Sequence, residues 1–442
     1  MNGMLRSVAG LLCLAFVAIA AATPGFAFTI EQVISPGGIK AWLVQDKAIP
    51  LIAMSYAFKG GSAYDPAGKE GLANFITGML DEGADDLDSA AFQRKRDELA
   101  FKMSFDVGRD YFTGSFQTLS RNRDASFDLL RKALTKPRFA ADAVERVRKQ
   151  FLLAARDQAQ DPEQVAATAW MQQALPGDPY AHDPDGADTT IATITPGDLR
   201  DAHHRIFTRA TLRIAVVGDI DATSLGRLLD QTFGGLPVGA PPPDLPAPRL
   251  TAGPNLKVIQ HGIPQSVIMF GEAGLKRSDP AFIAAYIMSE ILGGGSFSSR
   301  LTTEIREKRG LTYGVGASLV PLSRLGLLMG SLATRNEKAG EALALVKQEL
   351  NRMAKEGPTQ AELDEAKTFL MGSYALRFSG NAAIAGQLLS IQQENLGIDY
   401  IEKRNARVAA VTLDDVKAQA ARILDGDKLI VTVVGKPEGI AN

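Results

Sequence analysis

The feature that most constrains the fold is an internal repeat. Short sequence matches recur in the same order at a separation of roughly 215 residues. The matched pairs are Ile49-Pro50 with Ile263-Pro264, Asp65-Pro66 with Asp279-Pro280, Thr195-x-x-Asp198-Leu199 with Thr412-x-x-Asp415-Val416, Arg205-Ile206 with Arg422-Ile423, and Val216-Val217-Gly218 with Val433-Val434-Gly435. Because chance matches would keep neither the order nor the spacing, we expect two homologous domains.

The boundary between the two copies is rich in proline. Segment 236–250 contains Pro237, Pro241, Pro242, Pro243, Pro246 and Pro248. Proline at this density keeps a chain extended and stiff, as in a spacer between lobes. We therefore expect an N-terminal domain over 28–235, a linker over 236–250 and a C-terminal domain over 251–442. In each copy, apolar strands (51–59 and 265–272) precede helices (71–80 and 281–292), which is typical of α+β sandwiches.

The first 27 residues have the pattern of a signal peptide. Arg6 is the only charged residue before position 31, and an apolar run over 11–22 ends near Pro24. Gly25 and Ala27 then supply the small residues that a signal peptidase requires. We expect cleavage after Ala27 and export, to the periplasm, with an N-terminal membrane anchor as the alternative.

Composition excludes several classes of function. Lys and Arg number 48 against 50 Asp and Glu, so a basic excess that would favour nucleic acid is missing. The single cysteine, Cys13, lies within the predicted signal peptide. A mature chain without cysteine has no disulfide, no thiolate metal site and no cysteine nucleophile.

Four segments of the chain have a distinctive sequence. They are Gly71-Leu72-Ala73-Asn74-Phe75-Ile76-Thr77-Gly78-Met79-Leu80, Thr195-Pro196-Gly197-Asp198-Leu199, Val216-Val217-Gly218-Asp219, and Ser298-Ser299-Arg300-Leu301 continuing through Arg306 to Tyr313. Together they resemble the pitrilysin and mitochondrial processing peptidase family. The resemblance covers nearly all of the mature chain. It implies an α+β fold of two homologous α/β-sandwich domains that form a clamshell, and an ancestry in zinc-dependent peptide hydrolysis.

The residues that hold zinc in active members of this family are replaced. Active members carry H-x-x-E-H on the first segment, with two imidazoles on one helical face and a glutamate that polarises the attacking water. The matching positions here are Asn74, Thr77 and Gly78, and the third ligand, a glutamate on a later helix, falls near Ala154. A carboxamide is a poor zinc ligand, threonine is no base at neutral pH, and glycine has no side chain. The resemblance therefore predicts no catalytic residue and no metal in this chain.

The four histidines do not suggest another metal site. They are His182, His203, His204 and His261. Adjacent His203 and His204 would point about 100° apart on a helix, so they cannot form an i, i+4 pair. Three converging ligands are required for a structural or catalytic zinc.

Two features of the active relatives are retained in the second copy. The resemblance implies that Arg306 holds a peptide carbonyl and that Tyr313 donates to the oxyanion of the tetrahedral intermediate. A solvated helix face for Arg306 and edge packing for Tyr313 are the alternatives. By the same resemblance, Gly293, Gly294 and Gly295 match the site of a glycine-rich substrate loop in the non-catalytic subunit of the processing peptidase. A C-terminal glycine cap followed by a turn is the alternative.

Three functions follow. The first is a non-catalytic subunit that supplies Arg306 and Tyr313 in trans to an active, zinc-containing partner, as a heterodimer or larger assembly, for hydrolysis of unstructured peptides. The second is a peptide-binding or assembly scaffold that adds strands to a sheet edge. The third, a self-sufficient zinc metallopeptidase, conflicts with the missing ligands. Neither the peptide specificity nor the identity of the partner can be inferred from the sequence.

Overall fold

Two β-sheets, one from each half of the chain, form the framework of the protein. The computed structural model describes residues 28–295 and 298–440, so the predicted signal peptide lies outside the described residues. The strands are β1 (Glu31–Ile34), β2 (Lys40–Gln45), β3 (Leu51–Lys59), β4 (Gly83–Ala84), β5 (Leu87–Asp88), β6 (Lys102–Val107), β7 (Tyr111–Leu119), β8 (Arg213–Gly218), β9 (Asn255–Gln260), β10 (Gln265–Ala273), β11 (Thr312–Pro321), β12 (Gly326–Arg335) and β13 (Ile430–Gly435). The N-terminal sheet has the order β1-β2-β8-β3-β7-β6, the C-terminal sheet has the order β11-β12-β10-β13-β9, and β4 and β5 form a separate two-stranded sheet.

Helices fill the segments between these strands. The α-helices are α1 (Leu72–Thr77), α2 (Ser89–Glu98), α3 (Arg123–Thr135), α4 (Ala141–Gln158), α5 (Pro162–Ala174), α6 (Asp188–Ile191), α7 (Pro196–Ile206), α8 (Ala222–Phe233), α9 (Phe282–Gly293), α10 (Ala339–Glu356), α11 (Gln360–Gly372), α12 (Asn381–Gln393), α13 (Tyr400–Ala410) and α14 (Leu413–Ile423). A π-helix occupies Thr302–Glu307. Within the described part of the chain, no helix combines the length and the apolar character needed to span a bilayer.

The strand order of the two sheets repeats. The arrangement β2-β8-β3-β7-β6 in the first half matches β9-β13-β10-β12-β11 in the second. In each sheet one of the matched pairs is parallel, β2 with β8 and β9 with β13, and the remaining matched neighbours are antiparallel. The sequence repeat is therefore a structural repeat, which confirms the predicted class of two homologous α+β domains.

The central strand β3 is buried along nearly its whole length because both faces of its sheet are covered. Alternate residues Met54, Tyr56 and Phe58 belong to the apolar core that the N-terminal helices form on one face. Ala57 belongs instead to a cluster with Leu388 of α12 on the opposite face. A helix from the second half thus completes the burial of the first sheet.

The reverse arrangement also occurs, because α5 of the first half packs on β10 and β13 of the second. We call this reciprocal packing of α5 and α12 the helix exchange. Trp170 of α5 is fully buried there, and its Nε1 donates to the carbonyl of Ile430 at 2.9 Å. The ring lies over Gly271, where a Cβ atom would approach it to 2.6 Å. On the other side, Nε2 of Gln392 in α12 donates to the carbonyl of Ile214 at 2.9 Å. Each half therefore depends on the other for part of its core.

The proline-rich segment forms neither helix nor strand over 237–250, and it is docked against both halves. Its Leu245 packs against the cluster that contains Trp170. Arg324, between β11 and β12, donates to the carbonyl of Pro246 at 3.0 Å and binds Asp178 through two hydrogen bonds of 3.0 and 2.7 Å. The same guanidinium lies 4.6 Å from the ring centroid of Tyr180. These contacts hold the linker in one position.

Candidate functional site: a degenerate zinc site

Helix α1, which carries the zinc-motif positions, is held at its N-terminus by Asp65. The Asp65 carboxylate accepts from the backbone N–H groups of Gly71 and Ala73, both at 3.0 Å. Burial raises the pKa of Asp65 to about 7, while these N–H donors act in the opposite direction. Gly71 has a φ of +91°, and a Cβ atom there would lie 2.7 Å from the carbonyl oxygen of Asp185. The helix start is therefore built around a glycine and a buried carboxylate.

The helix is shorter than the predicted 71–80, because α1 ends at Thr77. The hydroxyl of Thr77 donates to the carbonyl of Asn74 at 2.6 Å. That carbonyl is the one that the N–H of Gly78 would bond if the helix continued. The threonine side chain competes with the backbone for this acceptor at the residue where the helix ends, directly before Gly78.

The first degenerate position, Asn74, is part of an amide–carboxylate network. Its Nδ2 donates to Oδ1 of Asp185 at 3.0 Å, and Nε2 of Gln158 in α4 donates to Oδ2 of the same carboxylate at 2.8 Å. Both oxygens of Asp185 are thereby engaged by neutral carboxamides. Sequence reasoning missed Asp185, which lies in a loop without a recognisable motif and reaches α1 only through the tertiary fold.

The last motif position, Gly78, is covered by α4. A Cβ atom at Gly78 would lie 2.9 Å from the ring of Phe151 and 3.1 Å from Val147. The Phe151 ring also packs against Phe75, with 5.4 Å between centroids. Ala154, the predicted position of the third ligand, is exposed. An aromatic ring therefore occupies the space into which a histidine at position 78 would extend.

These residues do not fit zinc. Asn74 offers a weak amide ligand that is already bonded, and Thr77, Gly78 and Ala154 offer neither an imidazole nor a carboxylate. Across 28–295 and 298–440, no three His, Cys, Asp or Glu side chains are grouped as a metal would require. His203 is buried, its Nε2 lies 2.9 Å from the carbonyl oxygen of Leu134, and burial lowers its pKa to about 4. This histidine is part of the core.

We predict that restoring the motif residues alone does not restore the metal site. The triple variant Asn74→His/Thr77→Glu/Gly78→His should bind well under one equivalent of zinc by elemental analysis after dialysis. It should also be destabilised by about 1–3 kcal/mol, the usual cost of an overpacked core, because the new side chain must displace Phe151. Thermal denaturation measures this loss.

The double variant Asn74→His/Thr77→Glu is the matched control, since it loses the Asn74–Asp185 bond without crowding Phe151. Adding Phe151→Ala to the triple variant should recover part of its stability. One tightly bound zinc in the triple variant, at the stability of the double variant, would show that Phe151 does not block the site.

The structure places Arg306 and Tyr313 on consecutive surface elements of the second half. Arg306 is an exposed residue of the π-helix, an element that is rare and often found at functional sites. On the same helix, Glu304 binds Lys308 and Arg309 at 2.6 and 2.8 Å. Tyr313 is 91% exposed at the start of the edge strand β11, where the pairing with β12 shifts register. Such exposure does not support edge packing as the role of Tyr313.

The three glycines have distinct environments. Gly293 ends α9 close to β11, and a Cβ atom there would lie 2.5 Å from the backbone nitrogen of Ala317. At Gly294 a Cβ atom would meet the Glu290 side chain, whereas Gly295 has open space around it. The neighbouring Ser296 and Phe297 lie outside the described residues. Close packing therefore accounts for Gly293, and the substrate-loop role stays a prediction.

Taken together, the repeated α+β fold and the replaced metal ligands define a peptidase-like protein without a catalytic zinc site. Residues 44–182 match the family described as "Insulinase (Peptidase family M16)", and residues 193–370 match "Peptidase M16 inactive domain". A solved structure is described as the peptidase M16 inactive domain from Pseudomonas fluorescens. It is 30% identical in sequence, with a TM-score of 0.86, and the match covers 94% of this chain and 99% of that structure. The chain belongs to peptidase family M16, which confirms the expected family.

Among the curated relatives, some are named as proteases and one is named as a non-peptidase. The "Non-peptidase homolog YmxG" of Helicobacter pylori is 26% identical over 81% of this chain and 82% of its own length. The "Uncharacterized zinc protease Mb2805c" of Mycobacterium bovis is 24% identical over 91% of this chain and 92% of its own. A solved protease from Helicobacter pylori shares the fold, with a TM-score of 0.83 at 18% identity, over 92% of this chain and 99% of its own. The inactive-domain and non-peptidase matches agree with the replaced zinc ligands of this chain.

Proposed function

We propose that this chain is the non-catalytic subunit of an exported zinc peptidase of family M16. It binds an active partner subunit, which carries the zinc, and contributes Arg306 and Tyr313 to the hydrolysis of unstructured peptides. The observation that carries the proposal is a contrast within the chain. The metal positions are replaced and Phe151 covers Gly78, while the side chain of Tyr313 is exposed.

The chemistry of these two residues requires a zinc-bound water from elsewhere. A guanidinium fork holds a peptide carbonyl through two N–H donors, and a phenol stabilises a developing oxyanion through one O–H donor. Neither group activates water. A chain that keeps these donors and has lost the water-activating groups complements a chain with an intact motif. Relatives with the name "Uncharacterized zinc protease" support the proposal that the family supplies such a partner.

A scaffold that binds peptides without a part in catalysis is the second candidate. The observation that favours it is that β6 and β11 each form one edge of a sheet among the described strands. An edge strand can pair with an extended peptide through its free backbone groups. This binding does not require Arg306 or Tyr313.

Reconstitution with an active relative from the same organism tests the proposal. The mature chain alone should not hydrolyse unstructured peptides, with or without added zinc. Mixed with the relative, it should form a heteromer on size-exclusion chromatography and raise the peptidase rate. The control is the relative mixed with an equal mass of an unrelated protein. Hydrolysis by the chain alone would refute the pseudo-peptidase assignment, and a heteromer with an unchanged rate would favour the scaffold.

A further inference from the structure

A cavity of about 270 Å³ lies in the second half of the chain, between α9, α12 and α13. Three arginines and several aromatic side chains line it. The lining residues that matter here are Arg277, Arg377, Arg404, Phe282, Tyr374 and Tyr400. These residues come from separate segments, and none belongs to the degenerate zinc site. The cavity therefore has a character of its own, cationic and aromatic.

Two of the arginines are fixed by the fold. Arg404 is 6% exposed, its Nη1 donates to the carbonyl of Leu370 at 2.6 Å, and its Cζ lies 4.3 Å from the ring centroid of Tyr374. Burial lowers the pKa of Arg404. Arg277 donates to the Tyr400 hydroxyl, and its Cζ lies 4.4 Å from the ring centroid of Phe282. Both guanidinium groups are thus held against aromatic walls.

The three arginines outnumber the carboxylates in the lining of this cavity, where Glu394 is the one acidic residue. Within the described residues, Arg277, Arg377 and Arg404 have no carboxylate oxygen within the 4.0 Å of an ion pair. Burial raises the pKa of Glu394, while the charge of Arg277 acts in the opposite direction from beyond that distance. Neutral acceptors satisfy some of the N–H donors but do not balance the charge. Arg404, the buried member of the three, carries its charge without an ion-pair partner, which is costly, so an anionic ligand would relieve this cost.

We propose that this cavity binds a small aromatic carboxylate. Guanidinium forks match a carboxylate through paired N–H donors, and the rings of Phe282, Tyr374 and Tyr400 provide flat apolar walls for an aromatic body. The cavity is smaller than the roughly 300–1,000 Å³ typical of pockets for drug-sized ligands. It therefore suits a ligand of about the size of one amino acid.

The cavity shares residues with the contact between α12 and the N-terminal sheet. Tyr374, Tyr400 and Ile391 line the cavity and belong to the apolar cluster through which the second half covers the N-terminal sheet. A ligand that fills the cavity stabilises the packing of α12 against that sheet. Ligand binding to the folded state alone raises the apparent stability.

Calorimetry and thermal denaturation of the mature chain test the proposal with N-acetylphenylalanine as the probe. The acid should bind saturably and raise Tm, and the uncharged N-acetylphenylalaninamide should bind at least about tenfold more weakly, since it loses the charged hydrogen bonds. Arg277→Gln and Arg377→Gln should each weaken binding of the acid about tenfold. Arg335→Gln removes an exposed arginine outside the cavity and should change nothing.

Equal affinity for the acid and the amide would overturn the proposal, as would unchanged binding in both cavity variants. Inorganic phosphate that binds more tightly than the acid would also overturn it, because the aromatic walls would then play no part. If Arg277→Gln does not fold, Arg377→Gln still decides the matter, since Arg377 is exposed.

Discussion

Replacing Trp170 with alanine should lower the free energy of unfolding by about 3–5 kcal/mol, the usual cost of truncating a fully buried large aromatic side chain. The lost contacts are those between the two halves, because the Trp170 ring packs over Gly271 and its Nε1 donates to the carbonyl of Ile430. We expect the two halves to unfold in separate steps in the variant. Urea titration followed by far-UV circular dichroism measures both effects without relying on tryptophan fluorescence.

Two further variants locate the origin of this effect. Trp170→Phe keeps much of the apolar contact and loses the hydrogen bond, whose net contribution is about 0.5–1.5 kcal/mol. Gln392→Ala removes one hydrogen bond of the reciprocal exchange and should cost a similar amount. A Trp170→Ala protein that unfolds in one transition and loses less than about 1 kcal/mol would show that α5 does not couple the halves.

Replacing Tyr313 with phenylalanine should lower kcat of the reconstituted heteromer by about 100-fold, the cost of losing one oxyanion donor. This expectation rests on the proposed function. The substitution removes only the phenolic hydroxyl from a side chain that is 91% exposed, so the fold should not change. Association of the two chains, measured by size-exclusion chromatography, should remain intact.

Arg306→Ala separates substrate binding from transition-state stabilisation. It should raise KM alone if the guanidinium holds the ground-state peptide, and should also lower kcat if the contact strengthens in the transition state. Arg335→Ala, an exposed arginine at the end of β12, serves as the control. A heteromer whose rate is indifferent to both Arg306→Ala and Tyr313→Phe would leave this chain as a scaffold.

The replacement of the zinc ligands was predictable from the sequence. The packing and hydrogen bonding that now occupy the site were not. A metal needs particular donor atoms, so Asn74, Thr77 and Gly78 exclude zinc wherever they lie. The packing of Phe151 onto Gly78 depends on the position of α4, and the role of Asp185 depends on a distant loop. The early end of α1 coincides with a side-chain hydrogen bond of Thr77 that the helical pattern does not reveal.

The repeat and the apolar runs of β3 and β8 were enough to predict two homologous sheets, because strand formation and burial leave a local pattern in the chain. They could not predict that α5 and α12 exchange sheets. Two homologous sheets present similar apolar faces, so local sequence does not say which of them a helix will cover. The packing of Trp170 over Gly271 and of Leu388 near Ala57 makes that choice. The cluster of Arg277, Arg377 and Arg404 likewise exists only once residues far apart in the chain are brought together, because its charge is a property of the cavity and not of any segment.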